Sequence, residues 1–303
     1  MSREISAGAG KRYGLERVCQ VLEFPRSTIY AQQARESAKV VPLRPQRRGP
    51  KPKLPDADLL SAIRADLASS PFTGEGHRKV WARLRILRGI RVSRARVLRL
   101  MRENALLSPH RRPQGTLNLH DGTITTNRPN EMWGTDGIRI ETVDEGWVWV
   151  FSAVDHFDAC CVGICVGIHA VKTGNRFAAL QPIAQGLKTE FGATGADAGR
   201  GLTLRMDHGT QYTADDFLNQ VKFWGIAPSF AFVAEPQTNG VAERFNRTLK
   251  EQAIYGRLFK NVEEVRAAVT EFKNRYNRHW RLEKLGFMSP LEARQAYAIP
   301  KAA

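Results

Sequence analysis

Three strand-like runs crowd into residues 132–168, and they constrain the fold more than any other feature of the chain. Residues 132–142 (MWGTDGIRIET) alternate, 147–154 (WVWVFSAV) are nearly continuously apolar, and 160–168 (CCVGICVGI) form a third run. Strands following one another this closely pair antiparallel, and the unbroken middle run reads as a central strand. A helix is expected at about 172–190, a short strand at 202–207 (LTLRMD), a helix at 213–223, and a fifth strand at 226–233 (IAPSFAFV) despite Pro228. A last helix follows the polar turn Pro236–Gly240, with no further breaker until Gly256. The order βββαβαβα predicts an α/β fold, a mixed five-stranded sheet with flanking helices.

Upstream of residue 131 the period is helical. Residues 14–34 read as two short helices broken at Glu23–Pro25, with Leu15, Val18, Cys19 and Leu22 on one face, the size of a helix-turn-helix. Residues 39–55 hold five prolines among Lys and Arg, the composition of a stiff basic linker. Three helices are expected next: 57–69 (Leu59, Leu60, Ile63, Leu67 inward), 77–88 (Val80, Trp81, Leu84, Leu87) and 94–105 (Val97, Leu98, Met101), the last capped by Ser93. The expected organisation is therefore a helix-turn-helix segment (1–38), a linker (39–55), a helical DNA-binding domain (56–108), a second linker (109–125) and an α/β core (126–298).

The net charge of +16 is confined to one end: residues 1–120 hold 25 Lys and Arg against 9 Asp and Glu, and the remainder 21 against 21. So one-sided a block points to a polyanion, and its apolar periodicity argues against a disordered basic tail. Arg94, Arg99 and Arg102 lie outside the apolar stripe of their helix, placed to meet DNA. Four cysteines without a CxxC pair exclude a disulfide scaffold, and the seven His form no zinc half-site. No signal segment or long apolar span is present, so a cytoplasmic protein with no membrane partner is expected.

Against this frame three acids stand out. Asp136 shares its strand face with Ile138 and Ile140, where a lone carboxylate is costly. Asp207 ends the fourth strand, where sites of open α/β sheets gather, although a lone Asp-His-Gly more often just turns the chain. Glu243 follows with 35 residues between, and Asn246, Arg247 and Lys250 share its helical face. Taken alone, Glu243 and Arg247 are an ordinary i, i+4 pair. Three converging carboxylates without matching cations, however, suit Mg²⁺ or Mn²⁺, and two such ions clamp an in-line phosphoryl transfer.

The constellation resembles the D,D(35)E core of retroviral-type integrases and insertion-sequence transposases, and the chain is most similar to the OrfB-type transposases of the IS3 family. Five blocks carry the resemblance in order: RKVWARLRILRGIRVSRARVLRLMREN, EMWGTDGIRI, RMDHGTQYT, NGVAERFNRTLKEQ and YNRHWRLEKLGFMSPLEA. It implies an RNase H-like catalytic domain with Asp136, Asp207 and Glu243 as metal-binding triad, holding two Mg²⁺ or Mn²⁺ ions. Lys250 would contact DNA near the scissile phosphate, with Asn246 and Arg247 as supporting contacts. The implied chemistry is hydrolysis at the ends of the element, then attack of the freed 3′-OH on another phosphodiester. The implied partners are the terminal inverted repeats, target DNA, further copies of the chain on DNA, and an upstream-frame product to which it is fused. An inactive remnant acting as a repressor, or a nuclease that cuts without joining, are the competing readings. Asp155 and Asp158 are expected to serve a turn, Asp155 with a supporting role near the site; Tyr212, Trp224 and Trp280 are expected to pack.

Overall fold

The computed structural model describes residues 4–37, 53–108, 125–168, 175–231 and 239–298. The chain divides into two compact units, Met1–Lys53 and Leu54–Ala303. In the first, α1 (Leu15–Val21) and α2 (Arg26–Ser37) form the expected helix pair. Cys19 is its buried residue, whereas Leu22, expected on the same face, is 60% exposed. The proline-rich segment 39–55 lies largely outside the described residues.

The second unit opens with α3 (Asp56–Ser69), α4 (His77–Arg88) and α5 (Arg94–Glu103). They close around Leu59, Ile63, Val80, Leu84, Val97, Leu100 and Met101. Ser93 caps α5, its hydroxyl accepting from the Arg96 amide at 3.3 Å. Three inward assignments change: Leu87 is 60% exposed, and Leu60 and Leu98 are only half-buried, the latter because Val97, Leu100 and Met101 make the i, i+3, i+4 stripe. The segment 109–124 lies outside the described residues.

The sheet has five strands in the order β3-β2-β1-β4-β5. β1 (Met132–Thr142), β2 (Gly146–Asp155) and β3 (Cys161–Ile168) pair antiparallel, while β4 (Thr203–Met206) and β5 (Ala227–Phe230) run parallel to β1. This is the RNase H-like arrangement. Strand alternation sends Trp133, Phe151 and Ala153 to one face, under α6 (Arg176–Phe191) and α8 (Asp215–Phe223). Ile138, Ile140, Val148 and Val150 point to the other, under α9 (Gly240–Leu249) and α10 (Val262–His279). The expected helix over 213–223 is split at Ala214, leaving Thr210–Thr213 as a separate short turn of helix, α7.

Two helices go beyond the sequence reading. α10 buries Val265, Val269, Phe272 and Tyr276 on the sheet. Truncating Phe272 there would cost about 3–5 kcal/mol. α11 (Pro290–Ala298) packs against it. Cys19, Cys160 and Cys161 are free and buried, and burial pushes the Cys161 thiol up to about 12. Among the described residues no helix is long and apolar enough to cross a membrane.

Candidate active site

Asp136 sits in mid-β1, opposite Ser152 of β2. Its carboxylate is gripped on both oxygens: the Gly137 amide donates to Oδ1 at 2.7 Å, and the Asn246 side-chain amide donates to Oδ2 at 2.8 Å. Ser152 in turn donates to Asn246 Oδ1 at 3.1 Å. Burial nevertheless pushes Asp136 up to about 6, against the pull of these two donors, and the negative fields of Asp207 and Glu243 add to the rise. Asp207 lies just beyond β4, exposed, with its Oδ1 accepting from the Gly209 amide at 2.9 Å. Glu243 lies in the first turn of α9; burial raises its carboxyl, Arg247 opposes, and Asp207 raises it further.

The three acids thus come from three elements and lie within electrostatic reach of one another. Among the described residues none of them is in an ion pair or accepts a hydrogen bond from Lys or Arg. As they stand, no three acid, His or Cys side chains among the described residues form a ready-made metal cluster. The donor set still fits a hard cation: carboxylate oxygens, one carboxyl pushed up to about 6 by burial and like charge that a cation would relieve.

α9 is fastened to β1 at Asp136 and at the residue before it. Asn246 holds the side chain of Asp136 itself, and Asn239, at the helix start, donates from its side-chain amide to the Thr135 carbonyl at 3.0 Å. This seating requires Gly134: a Cβ there would meet Asn239 Oδ1 at 2.8 Å and His156 Nε2 at 2.9 Å. Asn239 is a residue that sequence reasoning missed. The polar turn marked its neighbourhood, but nothing local distinguishes a turn Asn from one that reaches a strand carbonyl.

The expected DNA contacts divide. Arg247 is exposed on the face of Glu243, and Lys250 is half-buried at the start of a π turn, Lys250–Ile254, that prolongs α9. Asn246, expected as a supporting DNA contact, is 4% exposed, and both ends of its amide are engaged within the protein. Arg102 is exposed on α5. Arg94 lies 3.5 Å from Glu283, and Arg99 is bound to Asp56 at 2.5 Å and to Glu103 at 2.8 Å, so a phosphate must displace those partners. Tyr212 and Trp224 are core residues, and Trp280 packs against the core. Asp155 and Asp158 do cap their turn, accepting from the amides of Phe157 and Cys160, both at 2.8 Å. They also bind Arg294, a partner 136 residues or more away in sequence.

Three stretches of the chain match known domain families. Residues 126–236 and 224–290 match integrase core domains, and residues 57–114 match an HTH-like domain. The transposase for insertion sequence element IS629 of Shigella sonnei is 26% identical, over 95% of this chain and 93% of its own length. Transposase InsD for insertion element IS2A/D/F/H/I/K of Escherichia coli is 28% identical over 78% of each chain. Among solved structures, a simian T-cell lymphotropic virus intasome, in complex with PP2A regulatory subunit B56 gamma, has a chain that is 14% identical, with a TM-score of 0.47 over 80% of this chain and 77% of its own. The HTLV-2 integrase catalytic core domain in complex with magnesium is also 14% identical, with a TM-score of 0.39 over 55% of this chain and 97% of its own.

Proposed function

We propose that the chain, with integrase core domains behind an HTH-like domain, is an insertion-sequence transposase of the IS3 family, and that Asp136, Asp207 and Glu243 are its catalytic acids. The class makes it a polynucleotidyl transferase. Its finer activity, on this reading, is cleavage at the ends of its element and transfer of the freed 3′-OH to target DNA. The observation that carries the reading is the meeting of three carboxylates from β1, the end of β4 and α9, none paired with a cation among the described residues.

The three carboxylates would hold two Mg²⁺ or Mn²⁺ ions. When bound, such ions activate the attacking oxygen and stabilise the leaving one. The remaining work falls to the chain. Gly137 and Asn246 fix the orientation of the Asp136 carboxylate, leaving it little freedom to lose on binding an ion. Asn239 and Asn246 fix α9, and so Glu243, relative to β1. Arg247 and Lys250, on the Glu243 side of the helix, are placed to bind phosphates of the reacting strand. Arg102, with Arg94 and Arg99 after partner exchange, would bind duplex flanking the cut. Two element ends must be brought together, so copies of the chain are expected to assemble on DNA, in the cytoplasm and on the nucleoid.

The test uses the full chain and Glu243→Gln on a labelled duplex from the end of its element, with Mn²⁺, Mg²⁺ or EDTA. Metal-dependent nicking and joined products in the wild type, both lost in the variant, are expected. Nicking that survives the substitution would remove Glu243 from the site.

A further inference from the structure

The loop between α3 and α4 does something a tethered reading module has no use for: it puts an aromatic ring into the core of the catalytic domain. Phe72 is 4% exposed and belongs to the cluster of Ile138, Phe245, Phe272 and Tyr276 rather than to the helical module's own core. Its ring meets Trp280 edge-on at 4.8 Å, and Arg275 lies over it at 5.2 Å. The next residue, Thr73, pairs through its backbone with one side chain: its amide donates to Gln252 Oε1 at 3.0 Å, and its carbonyl accepts from Gln252 Nε2 at 2.9 Å. Gln252 lies in the π turn that carries Lys250.

The base of this loop is fixed by charges buried in the helical module. Arg83 binds Asp66 at 2.7 Å and also Glu75; Glu75 accepts from Ser70 at 2.6 Å; and the Ser70 hydroxyl accepts from the Phe72 amide at 3.3 Å. Buried ion pairs contribute little net stability, so their use in a small three-helix core calls for a role in specifying geometry. Outer contacts add to the joint: Lys79 lies 2.7 Å from the Trp280 ring centre, Trp81 meets Phe287 at 5.8 Å, and Glu283 is bound by Arg78 at 2.6 Å and lies 3.5 Å from Arg94.

We propose that the helical module is a fixed arm of the DNA-cutting site, seated through Phe72 in the core of the catalytic domain and through Thr73 on the turn that carries Lys250, so that one duplex is held by α5 and by the acids at a set separation. The inference rests on the transposase reading for its DNA, but not for the joint itself. Freeing the arm lets α5 and the acids engage DNA independently; the joint makes them a single ruler, and misplacement of a strand by about 1 Å costs on the order of 100-fold in rate.

The full chain is tested by hydrogen exchange and by cleavage of the element end. Phe72→Ala should speed exchange across Asp56–Glu103 while β1 and β2 stay protected, and should lower cleavage by roughly 100-fold with duplex binding reduced far less. Gln252→Ala, at a half-buried position, should act in the same direction more weakly, and decides the matter if Phe72→Ala unfolds the whole unit. A Thr73→Cys, Gln252→Cys double variant joined by a short bis-maleimide replaces the lost contact and should cleave at the wild-type position and rate. Unchanged exchange and cleavage in both single variants would overturn the proposal, as would loss of cleavage on crosslinking. A wild type that cuts no element end would count against the function alone; exchange would still decide the joint.

Discussion

Asp136 on β1 and Asp155 on β2 each belong to a set of acids, and the two sets are treated in opposite ways. Asp136 faces Ser152 across the β1–β2 ladder, and Asp155 faces Trp133 three residues along. Asp155 and Asp158 are fully buried, yet Arg294 lies 2.6 Å from the first, 2.7 Å from the second and 2.6 Å from Glu190. Burial and the charge of Asp158 push Asp155 up, and Arg294 pulls it back. Among the described residues Asp136 is offered no such cation: its donors are an amide side chain and a backbone N–H, and its charged neighbours are two more acids. The difference lies in cation supply, not in the acids. An acid cluster given a guanidinium is finished, whereas one held in place and left negative waits for positive charge from outside the chain.

The largest effect should come from removing one charge of the unfinished set. Asp136→Asn is nearly isosteric, yet end cleavage should fall by 10³-fold or more, about 4 kcal/mol of transition-state stabilisation. Its melting temperature without metal should hold or rise, since repulsion by Asp207 and Glu243 is relieved. Single-turnover cleavage and a thermal melt on one preparation check both halves, and a variant that cuts at the wild-type rate removes Asp136 from the chemistry.

Breaking the finished set should do the reverse. Arg294→Met leaves Asp155, Asp158 and Glu190 without their shared cation, which should cost about 3–5 kcal/mol of stability. Urea denaturation measures this. The folded fraction should still cleave, because Arg294 touches none of the three candidate catalytic acids.

Asn246 sharpens the comparison, since it takes the place at Asp136 that a cation takes at Asp155. Asn246→Ala strips a donor from Asp136 and an acceptor from Ser152, costing about 1–3 kcal/mol. Its kinetic effect should appear in kcat, about tenfold to 100-fold, with KM for DNA little changed. A rise in KM at constant kcat would instead restore the sequence-based reading of Asn246 as a DNA contact.

Much of this was legible before any coordinates. The five strands followed from alternation and the antiparallel sense of the first three from their close spacing, and the three proposed acids stood out by strand face, strand end and helix. What was hidden depends on partners far away in the chain. Nothing near Asp155 announces Arg294, and nothing near Phe72 announces Trp280, because such contacts are set by how helices stack rather than by local period. Asn246 was expected to share the face of Glu243 and Arg247 toward DNA; its burial against Ser152 and Asp136, while Glu243 and Arg247 stay exposed, is a tertiary fact. α10 is a different case: Val262, Val265, Val269, Phe272 and Tyr276 keep helical spacing, and Asn261 caps the helix, accepting from the Glu264 amide at 3.1 Å. That signal was present and weak, its stripe being built largely of Val and Ala between many charges.

The smallest expected effect reads the unfinished set through protons. Folding moves Asp136 from about 3.9 in the open chain up to about 6, chiefly through burial. Between those values the folded chain binds more protons than the unfolded chain, so its stability falls as pH rises through the window. The loss should be about 2 kcal/mol or less, given partial solvent access. Asp155 titrates upward as well, so the wild-type curve alone mixes the two sets. Subtracting the Asp136→Asn curve isolates Asp136, because Asp155 keeps its surroundings in both proteins. Urea midpoints at pH 4.5 and 7 should therefore diverge between the two proteins when metal is absent. Saturating Mg²⁺ or Mn²⁺ should steady the wild type at pH 7, since a bound cation stabilises the carboxylate form, and should do less at pH 4.5, where the ion competes with a proton. Equal divergence with and without metal would mean that the acids are merely buried, as in the other set, and do not hold a cation.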